Sequence, residues 1–342
     1  MESKTSQSKT SQSKILTVVI PAYNVEKYID ECLSSFVNKG EIKEVEILVI
    51  DDGATDSTVE KAKVYAQKYP SMIRIIQKEN GGHGSVINRG IQEATGKYFK
   101  VLDGDDWVDT EGFIKLVDTL KSVNSDIVAS DYKCVNESNP AKSEIRRAAA
   151  NDPNHYGRSW KFTEVVREPI IKIHSLTVRT KILQENNIRV DEHCFYEDAE
   201  YILYPIPYCT NVYYDNTIVY MYRLGRDGQS VDIKSMQKRR GEHEKVLKSL
   251  YAFSDENETI DSYKKRYIDK GIALSAQNQF QIYFSLGNKK KIKQEMIDFD
   301  MDMKLHHRGV YNAITKRSIW ALRKTNYRIF AIGALAYKLL KG

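Results

Sequence analysis

The sequence predicts an α/β protein: a mainly parallel sheet with helices on both faces, followed by a helical C-terminal region. Three observations predict it. In the first 110 residues, short apolar runs alternate with amphipathic segments over short connections, the pattern of a parallel sheet covered on both faces. Those runs end in turn formers and carboxylates rather than fading out. Beyond about residue 232 the pattern changes to long, charged helical segments.

Residues 15–24, ILTVVIPAYN, read as a buried strand that turns at Pro21 and Asn24. The helix after it places Tyr28, Ile29, Cys32, Leu33 and Phe36 on one face and closes at Lys39-Gly40. Residues 44–52, EVEILVIDD, form a second apolar strand that delivers Asp51 and Asp52 into a turn, with Asp56 or Ser57 placed to cap the next helix. IRIIQ (73–77) is a third, short strand. The glycine-rich ENGGHGS (79–85) leads into another helix, and KYFKVLDGDD (97–106) is a strand ending in carboxylates. A helix follows over 112–121 and a strand over 126–134, then a polar, irregular excursion over 136–160. From 161 to 230 the pattern is mixed: PIIKIHSLTVRT, a helix starting near Lys181, the acidic DEHCFYEDAE and the apolar NVYYDNTIVYMYR.

The chain thus divides into a flexible N-terminal tail (1–14), one half of the α/β unit (15–110), a second half (111–231) and the helical region (232–342). Ligands of open α/β sheets bind outside the carboxyl ends of the strands. Pro21, Asp51-Asp52 and Asp103–Asp106 all fall there, so three chain-distant segments meet at one crevice, with 111–231 as its second wall.

With 52 Lys and Arg against 46 Asp and Glu, the net charge of +6 is modest for a nucleic-acid binder, and no nucleic-acid partner is expected. The start, MESKTSQSKTSQSK, has no apolar core, and no apolar run reaches the length of a membrane span, so a cytoplasmic protein is expected. Its four cysteines have no metal-binding spacing and read as reduced, buried small hydrophobes. The final segment, ITKRSIWALRKTNYRIFAIGALAYKLLKG, interleaves Trp320, Phe330, Ile332, Leu335 and Leu339 with Lys and Arg. Such a stretch suits the surface of an anionic membrane, making the protein peripheral on its inner face, or packing on the catalytic core or on a partner subunit as in a homodimer.

Asp103-Gly104-Asp105-Asp106 is the sharpest chemical feature. Carboxylates this close repel unless a cation compensates, and a divalent ion on a substrate diphosphate would do so; a solvated acidic turn is the competing account. In Asp51-Asp52, one carboxylate is placed to accept a nucleobase N–H and the other to cap a turn. Asn80-Gly81-Gly82-His83-Gly84 allows tight curvature beside a ligand, with His83 able to donate to a phosphate or hydroxyl. Glu197-Asp198 opens a helix after Phe195-Tyr196, where a carboxylate serves either as a cap or as a general base. Tyr222-Arg223, with Arg226 and Ser230, offers positive charge for a leaving diphosphate.

Taken together, VVIPAYNVEKYIDECLSS, EILVIDDGATDST, ENGGHGSVINRGIQEATGKYFKVLDGDDWVD and FYEDAEY resemble the inverting glycosyltransferases of the large family 2, which have a GT-A fold with a Rossmann-like sheet. The resemblance implies a UDP-sugar donor, Mn or Mg at the DxD motif, and a saccharide acceptor that is free, lipid-linked or protein-linked, of the kind used in bacterial envelope or exopolysaccharide assembly. It implies that 15–110 binds the nucleotide sugar and 111–231 the acceptor. Pro21, Ala22 and Tyr23 would line the nucleoside pocket with Glu26 near the ribose or base, and Asp52, rather than Asp51, would meet the uracil. Asp103 would face ribose and metal, Asp105 the metal, and His83, Gly84, Asn88, Gly104 and Arg223 the rest of the donor. Asp198 would be the base, with Glu197 orienting it or holding the acceptor. Family members carry alanine-arginine-asparagine after the glycine-rich turn; this chain has Val86-Ile87-Asn88, leaving His83, Arg89 or Arg223 to stand in for that arginine. A metal-dependent nucleotidyltransferase and a non-catalytic nucleotide-sugar-binding scaffold are the alternative readings.

Overall fold

The computed structural model describes residues 13–341 apart from 166, 226–228 and 230–231. Nearly all of the expected N-terminal tail, together with Arg226 and Ser230, lies outside the described residues.

Ten strands form one sheet among the described residues: β1 (Leu16–Ala22), β2 (Val45–Asp51), β3 (Ile73–Gln77), β4 (Tyr98–Val101), β5 (Trp107–Val108), β6 (Ile127–Asn136), β7 (Glu144–Arg146), β8 (Ser159–Lys161), β9 (Leu176–Arg179) and β10 (Asn211–Leu224). The order is β3-β2-β1-β4-β9-β6-β10-β5, with β7 on β6 and β8 on β10. The first four strands are parallel, as are β6 and β10; β5, β7, β8 and β9 pair antiparallel, so the sheet is mixed.

The unbroken apolar run of β1 has a direct cause. Leu16, Val18, Ile20 and Ala22 enter a core shared with Cys32, Leu33 and Phe36, whereas Val19 enters the opposite core with Val86 and Ile91. Both faces are covered, so no polar alternation survives. Parallel register pairs Ala22 with Asp51 and Asp51 with Gln77, which levels the carboxyl ends of β1, β2 and β3. β4 pairs Val101 with Val19 and ends there, five residues before the end of the expected strand. The 103–106 carboxylates therefore form a turn. A Cβ on Gly104 would lie 2.6 Å from the Pro21 carbonyl oxygen, so that turn seats against β1 only with glycine.

The helices are α1 (Ile29–Val37), α2 (Thr58–Lys68), α3 (His83–Glu93), α4 (Thr110–Ser122), α5 (Thr180–Glu185), α6 (Asp198–Leu203), α7 (Ile233–Lys238), α8 (Arg240–Glu256), α9 (Ser262–Ser285), α10 (Lys290–His306), α11 (Arg308–Ala313), α12 (Arg317–Lys324) and α13 (Phe330–Lys341). The 136–160 segment is less irregular than its polarity suggests. It contributes β7 and β8, and the fully buried Asp131 ties it down by accepting from Ala148 N (2.8 Å), Tyr156 Oη (2.6 Å) and Arg147 (2.6 Å).

α9 joins the helical region to the sheet: the Tyr267 ring meets Phe162 edge-on at 4.9 Å, and its hydroxyl accepts the Ile171 N–H at 2.8 Å. The expected basic stretch at the C-terminus is two helices, broken where Asn326 and Tyr327 adopt positive φ. Its inner side is packed. Ile319, Leu322 and Phe330 are buried, and Arg323 forms a double hydrogen bond with the fully buried Asp300.

Candidate functional site

The site is assembled at the carboxyl ends of β1, β2 and β4. After β1, Pro21 is half-buried, Ala22 is buried, and Tyr23 stands out at 50% exposure. Glu26 accepts the Ser57 N–H at 3.0 Å, and its own N–H donates to Asp56, which also caps Thr58. Glu26 thus fastens the β1 turn to the start of α2.

Asp51 and Asp52 are both buried, and their acceptor capacity is spent on turns. Asp51 accepts from Ala54 N (2.7 Å) and Gln77 Nε2 (3.1 Å). Asp52 takes the Lys78 ammonium (2.7 Å) and the backbone N–H groups of Gly81 (2.9 Å) and Gly82 (2.8 Å). Charge-assisted bonds of this kind hold the glycine-rich turn in one shape.

That turn carries the central group. His83 Nδ1 lies 2.6 Å from Glu197 Oε1 and Nε2 3.0 Å from Asp103 Oδ1. Carboxylates only accept, and a neutral imidazole has one N–H, so both contacts are satisfied together only by the imidazolium. Burial pushes the His83 pKa down, but the hydrogen bonds and charges of Asp103 and Glu197 outweigh it and hold it well above the usual histidine range. The same contact, opposing burial, lowers that of Asp103.

The 190–197 loop is pinned beside the turn. Asn88 donates to the Val190 carbonyl (2.9 Å) and to Glu192 (2.9 Å) and accepts from Val190 N (2.9 Å); His193 N donates to the Gly81 carbonyl at 2.7 Å. A Cβ on Gly84 would lie 2.0 Å from the Asp191 carbonyl oxygen, so α3 and this loop approach backbone to backbone. Tyr196 is held at φ 78° just before Glu197, a left-handed conformation costly for a non-glycine residue and frequent where a site is constrained. Glu197 is 2% exposed, locked by His83. Asp198, the first residue of α6, is exposed as a residue, yet the mass around its carboxyl and the Glu197 charge raise its pKa to about 6, against the pull of Lys172 and His83.

In the acidic turn, the Tyr220 hydroxyl donates to the buried Asp106 at 2.7 Å and accepts the Asp103 N–H at 3.1 Å. Burial, then the charges of Asp105 and Asp103, push Asp106 well above the usual carboxylate range. Asp103, Asp106 and His174 bring one ligand atom each within 4.8 Å of one another. Asp105, expected as the metal ligand, is not in that group; its carbonyl accepts Arg223 Nε at 2.7 Å. His174 Nδ1 is buried without a hydrogen-bond partner, and burial lowers the imidazole pKa to about 4, leaving it neutral and free to ligate. Its ring sits among Tyr132, Tyr220 and Tyr222, and Lys100 donates to its carbonyl at 2.8 Å.

Two residues expected to contact the donor are engaged by other protein groups. Arg223, read as a diphosphate partner, is buried beside the acidic turn with its guanidinium over Tyr28 and Trp107 and paired to Glu31 (2.6 Å) and Glu137. Asn88 is committed to the Val190 backbone and the Glu192 carboxylate. Ile87 is fully buried in the core and Arg89 pairs with Glu93 at 2.8 Å, so His83 is the cation that faces the acidic turn from this helix.

Residues 17–177 match the family model described as Glycosyl transferase family 2. The chain is 35% identical over 118 residues to the uncharacterized glycosyltransferase EpsJ of Bacillus subtilis (strain 168), covering 34% of each. It is 30% identical over 217 residues to the minor teichoic acid biosynthesis protein GgaB of the same organism, 63% of this chain and 23% of that one. Among solved structures, S. aureus TarS 1–349 in complex with UDP-GlcNAc aligns with a TM-score of 0.67 over 93% of this chain and 90% of that one, at 19% identity. At that identity the likeness establishes the GT-A fold. The matches cover about a third of EpsJ and a quarter of GgaB.

Proposed function

We propose, from the match of residues 17–177 to glycosyl transferase family 2, that the chain moves a sugar from a UDP-sugar to a hydroxyl of an envelope-type saccharide acceptor, free, lipid-linked or protein-linked, with inversion at the anomeric carbon. The observation that carries this is the His83 bridge: one imidazole ties the donor-side Asp103 to Glu197, the neighbour of the proposed base.

Asp198 accepts the proton of the acceptor hydroxyl as that oxygen attacks the anomeric carbon. The bond to the diphosphate oxygen breaks on the opposite face, which inverts the configuration. Glu197, held by His83, fixes the start of α6 and so the direction of the Asp198 carboxyl. Tyr23 offers an exposed ring beside Pro21 and Ala22 for the nucleobase, while Asp51 and Asp52 keep the flanking turns in shape. The expected test is a panel of nucleotide sugars with and without Mn: one UDP-sugar binds selectively, and NMR of its product shows the inverted anomer. A retained anomer, or no binding by folded protein, overturns the reading. Because the base must be ionised, transfer should rise as pH climbs through about 6 and level off above it; a flat profile across that range removes Asp198 from the role.

The acidic turn fits a divalent ion, Mn or Mg by the resemblance. Asp103, Asp106 and His174 would hold it, and the partnerless His174 Nδ1 is the group such an ion would satisfy. When bound, the ion would supply positive charge to the departing diphosphate. The nitrogen donor favours Mn, since Mg is held through oxygen ligands. Asp103→Asn and His174→Ala should each weaken Mn(II) binding, read by EPR in the presence of UDP, by roughly tenfold or more. Unchanged affinity in His174→Ala would exclude it as a ligand.

A further inference from the structure

The C-terminal pair α12–α13 is unusual in being apolar on both sides. The inner stripe of α13 packs on α9: Phe330 stacks on Phe284 at 5.7 Å, Ala334 is buried, and a Cβ on Gly333 would meet the Phe284 ring at 2.7 Å. Diametrically opposite, Ile332, Leu335 and Leu339 follow at helical spacing with exposures of 67%, 59% and 76%. Trp320 on α12 is 61% exposed, with the Lys324 ammonium 5.6 Å from its ring. A core helix needs one apolar stripe, and packing on α9 already accounts for the inner one.

The charge around this outer face is one-sided. Residues 303–342 contain nine Lys and Arg and no Asp or Glu, so the preceding 302 residues carry a net charge of −3 and this segment +9. Arg323 is consumed by Asp300, but Arg317, Lys324, Arg328 and Lys338 are exposed. Aliphatic residues with an indole among cations match the boundary between anionic headgroups and acyl chains, where apolar burial and electrostatic attraction add. Among the described residues, no helix is long and apolar enough to cross a membrane. At 1.5 Å per residue α13 spans about 18 Å, a length that lies in the interface plane rather than through it.

We propose that α12 and α13 form a docking face for an anionic bilayer surface, with Ile332, Leu335 and Leu339 entering the headgroup–acyl boundary and Arg317, Lys324 and Arg328 meeting lipid phosphate. The face is separate from the residues of the proposed transfer site, so its occupant is measured without reference to sugar transfer.

The test is vesicle co-sedimentation of the full chain with phosphatidylcholine alone and with phosphatidylglycerol added. Wild type should sediment with the anionic vesicles, and more weakly as salt rises. The triple variant Ile332→Asp/Leu335→Asp/Leu339→Asp and the double variant Lys324→Glu/Arg328→Glu should each lose roughly tenfold or more in partitioning. Circular dichroism should match wild type, because every changed side chain is exposed. Equal partitioning of wild type and both variants overturns the proposal. So does a wild type that ignores vesicles but dimerises in ultracentrifugation and becomes monomeric in the triple variant, which would assign the face to a second copy.

Discussion

Asp198→Asn should reduce glycosyl transfer by roughly 10²–10⁴-fold while leaving nucleotide-sugar affinity within about a factor of two of wild type, as expected for the loss of a general base that does not hold the donor. The substitution preserves size, and the residue is exposed at the start of α6, so the helix and the His83–Glu197 contact remain. Removing the carboxylate removes its negative charge beside Glu197, which relieves repulsion and leaves stability no lower. The effect therefore falls on kcat, and binding calorimetry separates it from misfolding. Slow hydrolysis of the donor by water should suffer less than transfer, because transfer is the reaction that draws on an oriented hydroxyl. A variant that transfers at the normal rate would move the base elsewhere in the 190–198 loop.

Legibility in the sequence follows the range of the contacts. The strands of the first half are local facts: an apolar run covered on both faces cannot be anything but buried, and the turn residues at its end mark the carboxyl edge of the sheet. Asp51-Asp52, Asp103–Asp106 and Glu197-Asp198 were readable because carboxylates at strand and helix ends are conspicuous. Their partners were not. His174 lies in the run PIIKIHSLT with no motif around it, and it becomes part of the acidic turn only because β9 is inserted between β4 and β6. Lys100, which no motif marks within KYFKVL, is 1% exposed, its pKa pushed down to about 7 by burial, and it holds the His174 carbonyl.

Asn88 and Arg223 have the chemistry to meet a phosphate, and the structure gives each protein partners more than a hundred residues away: Asn88 bonds Val190, and Arg223 donates its backbone N–H to Asp106 and its Nε to the Asp105 carbonyl. In the tail, composition alone cannot separate packing from an interface, since both need apolar residues among cations. The structure gives the inner stripe to α9 and leaves the outer one exposed.

His83→Gln should cost more in stability than any other change at the site. Glutamine carries no charge and cannot span both carboxylates, so the buried Glu197 loses its cation; breaking a buried pair in this way costs roughly 3–5 kcal/mol. In a melting experiment that is a drop on the order of 2–4 °C for each kcal/mol. The pH dependence identifies the cause. A histidine whose pKa is raised on folding contributes stability that is fully present below its unfolded value of about 6.5 and is lost as pH rises through the folded one. The melting-temperature gap between wild type and His83→Gln should therefore be wide near neutrality and close in alkaline buffer. A gap independent of pH would mean that His83 acts through shape alone. Transfer should fall with stability, because the same ring links the acidic turn to the loop that aims Asp198. A His83→Gln enzyme with full activity at a temperature where it remains folded would show that Glu197 needs no imidazolium to set the start of α6, and that the bridge joins two halves of the site without serving the reaction.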